Sequence, residues 1–232
     1  MGVIVHSNRL PDPNYSIGET GVGGSGTAGP GFAAVKLESI QPTAVSVTNS
    51  GRVTSRSIVG HRWKIDITYN PMTRNDFEPV FNFLMEKRGR LKPFEIVLPQ
   101  YNAPRSTVTS TIAVDGAITA GATNFMVDGV SSGSLRPGDM FNFTDSSNSN
   151  HKKVYQVTRV LTNADYLTGN QPTDSSHRVY YVTPSIEKSV SNNSTLDYTP
   201  TFRVMLTSDV MEYRLQTNNL YQFSLNLEEA QP

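Results

Sequence analysis

The sequence predicts a mainly β protein with one α-helix, about 76–88. It is read as a split β-barrel or sandwich domain into which a small β-sandwich or barrel domain is inserted. Three observations carry this. Trp63, Ile65, Ile67 and Tyr69 alternate with Arg62, Lys64, Asp66 and Thr68, the period of a half-buried strand. Phe77, Val80, Phe81, Leu84 and Met85 fall at helical spacing on one stripe. After Pro104 the chain breaks into short strand-like runs separated by Asp115-Gly116, Asp128-Gly129 and Pro137-Gly138-Asp139 turns.

Residues 1–31 read as a flexible Gly-rich arm. Seven of the seventeen glycines lie between Gly18 and Gly31, and such sequence buries too little apolar area to offset its ordering entropy. The run from Gly21 to Gly29 lacks a preceding strand and the Gly-Lys-Ser/Thr of a phosphate loop. Strands at Thr43–Thr48 and Val53–Val59 flank an Asn49-Ser50-Gly51 turn, and His61–Tyr69 follows to complete a three-stranded meander. Pro71 then stops the ladder.

Thr73, Asn75 and Asp76 can each cap the helix. Pro79 costs roughly 3 kcal/mol in a helix interior and little in a first turn, which favours a start near Asp76. Lys87 and Arg88 suit the negative end of the dipole, and Gly89 the left-handed terminus. A strand at Phe94–Leu98 ends at Pro99.

The central strands are expected at Thr111–Val114, Asn124–Val127, Met140–Phe143, Lys153–Leu161 and Val179–Val182. Residues 185–200 read as a second linker. Thr201–Leu206 and a last strand carrying Tyr221, Phe223, Leu225 and Leu227 on one face then return to the first sheet. The domains are therefore 32–105 with 190–232, and an inserted 106–189.

Composition narrows the function. The 232 residues hold no cysteine and a net charge of zero: the length allows a large core without disulfides, and the neutral balance argues against direct nucleic-acid recognition, which needs a strongly basic face, while leaving room for a local basic patch. No run approaches the ~18 apolar residues of a membrane span, so no membrane insertion is expected. The N-terminus does not read as a secretory signal, and Met1-Gly2 lacks the Ser or Thr that myristoylation wants at position 6.

The four histidines His6, His61, His151 and His177 stand apart in sequence without metal-ligand spacing, and read as surface residues. No nucleophile elbow or paired-carboxylate pattern points to catalysis. The reading is of a non-enzyme with no cofactor or metal. Lys87, Arg88 and Arg90 are candidate subunit contacts, facing acids such as Glu228 or Glu229. Tyr180 and Tyr181 are candidate contacts for host-surface glycans, which would make the chain a carbohydrate-binding module, although packing is the commoner fate of such tyrosines.

The stretch Arg62-Trp-Lys-Ile-Asp-Ile-Thr-Tyr-Asn-Pro-Met-Thr-Arg74, continued by Phe77–Leu84 and Arg88-Gly-Arg-Leu-Lys-Pro-Phe94, resembles the N-terminal domain of bacteriophage distal tail proteins and related baseplate ring proteins. Leu135–Met140 and the late return to strands look similar to members with an inserted domain, which the resemblance implies to be OB/galectin-like. The resemblance implies a homohexameric virion ring at the end of the tail tube, partnered by tail tube protein and by hub or tail fibre proteins. It implies assembly in the host cytoplasm before incorporation in the tail. A tail-tube initiator or tail-completion protein is the alternative within the same class.

Overall fold

The computed structural model describes residues 7–18, 20–58, 60–165, 172 and 174–230. The expectations that fall on Met1-Gly2, His6 and Val59 lie outside the described residues.

In chain order the strands and helix are β1 (Ser16–Ile17), β2 (Gly23–Ala28), β3 (Phe32–Ile40), β4 (Thr43–Val47), β5 (Val53–Ser57), β6 (Arg62–Tyr69), α1 (Arg74–Lys87), β7 (Phe94–Val97), β8 (Ala113–Val114), β9 (Asn124–Asp128), β10 (Met140–Thr144), β11 (Tyr155–Leu161), β12 (Arg178–Thr183), β13 (Thr195–Asp197), β14 (Thr201–Leu206), β15 (Arg214–Leu215), β16 (Tyr221–Gln222) and β17 (Ser224–Glu229). The fold is mainly β, with one α-helix. The chain forms two compact units, one from the residues up to Ile96 together with those from Arg203 onward, the other from Val97 to Phe202.

The first unit is a five-stranded sheet in the order β3-β6-β17-β14-β7. Its centre is the alternating strand: Trp63, Ile65, Ile67 and Tyr69 are all buried, each at 3 % exposure or less. β17 lies antiparallel beside it, with Leu225 opposite Ile67 and Leu227 opposite Ile65. The C-terminal strands thus pair with the N-terminal sheet. The same register leaves a charged outer face, where Lys36 pairs with Glu38, Lys64 bridges Glu38 and Asp66, and Arg62 meets Glu228.

α1 covers the apolar side. Phe77 stacks on Tyr221 with ring centroids 4.6 Å apart and meets Phe223 edge-on, and Phe83 meets Phe94 edge-on at 5.5 Å. Two details differ from the sequence expectation. The helix begins at Arg74 with Thr73 as N-cap, so Pro79 sits inside it. The buried face is Phe77, Val80, Phe83, Leu84 and Lys87, while Met85 is 54 % exposed. The face is rotated because Phe83 has a ring to meet on β7. Phe81 instead turns toward Tyr213 of the segment before β15. The C-terminus follows the expected pattern: Arg88 and Gly89 are left-handed, and a Cβ on Gly89 would lie 3.0 Å from the Asp209 Cα.

The expected meander does not form. β4 and β5 pair only with each other, and β6 pairs instead with β3. Nor are residues 7–31 a free arm where they are described. Leu10 is 1 % exposed, its N–H donates to the Glu95 carbonyl, and Arg9 bridges to Glu95 in parallel. The Gly-rich run supplies β2, paired with β1. One buried leucine and a few strand-edge hydrogen bonds outweigh the unfavourable composition.

The second unit is a closed six-stranded barrel in the order β10-β11-β12-β9-β8-β13. Its core gathers Val114, Phe125, Val127, Phe141, Phe143, Tyr155, Val157, Tyr180 and Leu196. Residues 185–200, read from the sequence as linker, contribute β13 and the buried Ile186, Val190 and Leu196 to this barrel. A barrel has no edges only if its last strand closes on its first, and the short β13 supplies that closure between β10 and β8. The Pro137-Gly138-Asp139 turn feeds β10. Gly138 sits at φ 101°, and the buried Asp139 carboxylate accepts from the Arg136 and Arg105 N–H groups.

Candidate assembly surface

The basic cluster after α1 divides when its side chains are followed. Lys87 is 4 % exposed: its ammonium donates to the Ser7 carbonyl and to Asn8 Oδ1, and lies 4.4 Å from the centroid of the Phe83 ring. Burial pulls its pKa below the ordinary lysine value. Lys87 is thus an internal clamp on the N-terminal segment and unavailable to a neighbour, a correction to its sequence reading. A long methylene stem lets a lysine lie inside a core while its charged end reaches polar partners, and sequence alone does not reveal this.

Arg88 and Arg90 are exposed. The Arg90 N–H is held by Asp209 Oδ1 at 3.0 Å, which fixes the turn and leaves both guanidinium groups toward solvent. Of the two acids, Glu228 is half-buried and pairs with Arg62 on the sheet's outer face. Glu229 is 3 % exposed and accepts from the Trp63 N–H at 3.1 Å, so it closes a strand end and is no surface acid.

The tyrosine pair splits by strand alternation. Tyr180 points into the barrel, fully buried, its hydroxyl 3.0 Å from Ser134 Oγ and accepting from the Leu135 N–H. No sugar reaches that ring. Tyr181 faces outward, half-buried, with the Arg159 guanidinium 3.8 Å from its centroid. Tyr180→Phe is expected to lower barrel stability by about 1–3 kcal/mol, because it strips the buried Leu135 N–H of its acceptor. Urea unfolding followed by tyrosine near-UV dichroism checks this, and an unchanged midpoint would contradict it.

His151, expected at the surface, is 2 % exposed and hydrogen-bonded through Nε2 to the Tyr155 hydroxyl at 2.7 Å. That hydroxyl also accepts from the Glu187 N–H at 2.9 Å, which ties the imidazole to the segment before β13. Among the described residues no group of three or more His, Asp or Glu is arranged to hold a metal ion.

What remains open is surface of the first unit. β3 is nine residues long and is the outermost strand of its sheet. The β4–β5 hairpin has Val45, Val47 and Val53 on one face at 61–63 % exposure. Met85 on α1 is exposed, as are Leu91, Val210, Tyr213 and Leu215 beyond the helix. Every exposed large hydrophobic residue among those described belongs to this unit, and the barrel contributes none. An unpaired edge and exposed apolar side chains concentrated on one unit are features of a surface that other chains cover.

Residues 20–101 match the family model for the N-terminal part of the A domain of distal tail protein pb9. Along 225 residues the chain is 25% identical to the distal tail protein pb9 of Escherichia phage T5, covering 96% of this chain and 99% of that protein. Along nearly its whole length the chain is similar to a phage distal tail protein. That similarity supports a structural role in a bacteriophage virion tail, in agreement with the resemblance carried by Arg62–Phe94. The matched segment contains β3, the open hairpin, β6, α1 and β7, which is most of the surface left uncovered.

Proposed function

We propose that this chain is a non-enzymatic virion protein forming a hexameric ring at the distal end of a phage tail tube, where it joins the tube to hub or tail fibre proteins. The observation that carries this reading is the end-to-end likeness to a distal tail protein, which spans both units. The open β3 edge and the exposed hairpin support it physically. A ring needs a heterologous contact that closes on rotation, and such a contact needs two different uncovered surfaces on one protomer. In this reading Arg88 and Arg90 remain candidate inter-subunit groups, whereas Lys87 and Glu229 do not.

The glycan-binding alternative loses one of its two candidate residues with Tyr180 inside the barrel, and keeps Tyr181. Negative-stain images of the purified protein are expected to show rings, and native mass spectrometry a species near six protomers of 25.5 kDa. A monomer that persists at high concentration, alone and with tail tube protein, would overturn the proposal.

A further inference from the structure

Within the first unit, the hairpin and one flank of α1 carry matched charges. Strand alternation puts Arg52, Thr54 and Arg56 on the hairpin face opposite Val45, Val47 and Val53, since Val47 pairs with Val53 and Ala44 with Arg56. Both arginines are exposed, and neither has an ion-pair partner among the described residues. No acid lies between Thr43 and Ser57.

On α1, Glu78, Asn82 and Glu86 form one ridge at four-residue spacing. That ridge walls a groove of about 680 Å³, whose other side is largely glycine backbone at Gly18, Gly21 and Gly26. Glu78 spends one carboxylate oxygen on Arg74, in a pair exposed to water, and leaves the other free.

The spacings agree. Arg52 and Arg56, four residues apart on a strand, stand about 13 Å apart at ~3.3 Å per residue. Glu78 and Glu86, eight residues apart on a helix, stand about 12 Å apart at ~1.5 Å per residue.

We infer that the β4–β5 hairpin of one copy seats its Arg52–Thr54–Arg56 face on the Glu78–Asn82–Glu86 ridge of a second copy. The occupant is a second copy because this chain itself supplies an extended segment with two unpaired positive charges at the separation of the groove's acids. The inference rests on the ring reading and assigns its contact. It also fixes orientation: the valine face turns away from the groove. Paired charges of this kind set register and make association salt-sensitive.

The chain has no cysteine, so single-cysteine variants give clean disulfide trapping. Size-tagged Thr54→Cys protein mixed with Asn82→Cys protein is expected to form a cross-linked heterodimer under mild oxidation, while Val47→Cys with Asn82→Cys is not. Arg52→Glu with Arg56→Glu should lose ring formation at least tenfold in concentration dependence, and mixing it with Glu78→Arg, Glu86→Arg protein should restore it. Val47→Asp should leave the Thr54–Asn82 cross-link intact. All these side chains are at the surface, and circular dichroism confirms that each variant is folded. Rings that form normally despite charge reversal, or cross-links through Val47 in place of Thr54, would overturn the contact and leave the ring reading standing. Failure of the unmodified protein to assemble at all would overturn both.

Discussion

Phe77→Ala is expected to destabilise the first unit by about 3–5 kcal/mol, the usual cost of emptying a buried aromatic site. Phe77 is 3 % exposed and touches four rings, Phe81, Tyr213, Tyr221 and Phe223. It therefore joins the helix to β16, to the residue between β16 and β17, and to the segment before β15. Three elements distant in sequence lose a common partner when it is removed, and a cavity of that kind collapses poorly. The measurement is direct, because Trp63 is the chain's one tryptophan and lies in the same core. Its fluorescence during urea unfolding reports this unit. A midpoint unchanged within error would show that α1 does not hold the sheet together.

The barrel is expected to weaken as pH falls from 6.5 toward 4. Burial, aided by the nearby Lys188 ammonium and opposed by Asp145, pushes the His151 pKa down to about 4 from an ordinary 6.5. Above pH 6.5 the imidazole is neutral in folded and unfolded chains, and the contribution is fully present. Between 6.5 and 4 the unfolded chain binds a proton that the folded site refuses, so stability is lost across that window. A displacement of that size corresponds to about 3 kcal/mol. Below about 4 the loss from His151 levels off. Asp145, whose hydrogen bonds from the Ser147 and Ser191 N–H groups outweigh its burial and hold its pKa down, then begins to contribute in the same direction.

Hydrogen exchange of the β10 and β11 amides at pH 7 and pH 4.5 reads the effect. His151→Gln should flatten the dependence. An equally steep loss in that variant would assign the acid sensitivity elsewhere.

The sequence carried the elements whose signal is local and long. Trp63–Tyr69 alternates over a full strand, and both the strand and its buried face follow from that period alone. The helix was equally visible, but its inward face was not. Five apolar residues fit a stripe through Phe81 and Met85, and only the ring of Phe94 and the course of residues 207–222 decide that Phe83 and Lys87 go inside. Both depend on chain far away in sequence. Thr195–Asp197 is too short to show any period, so the closing strand of the barrel read as linker.

Among the candidate surface residues, Arg88 and Arg90 were legible because a charge after a helix is ordinarily solvated. Tyr180 and Tyr181 were not separable, since adjacent residues on a strand face opposite ways and the register comes from pairing with Phe125 and Asn124. The groove beside Glu78 and Glu86 gave no signal beforehand. One of its walls is backbone from a segment that composition marks as disordered.

β7 and β14 are neighbours in the sheet, and the whole barrel lies between them in sequence. The barrel also has a core of its own and leaves no large apolar residue exposed among those described. Those properties make it an exchangeable module. A lineage can lengthen, recolour or replace what lies between Val97 and Phe202 without touching the residues that hold the sheet and helix together, so divergence should run fastest there while the framework changes slowly.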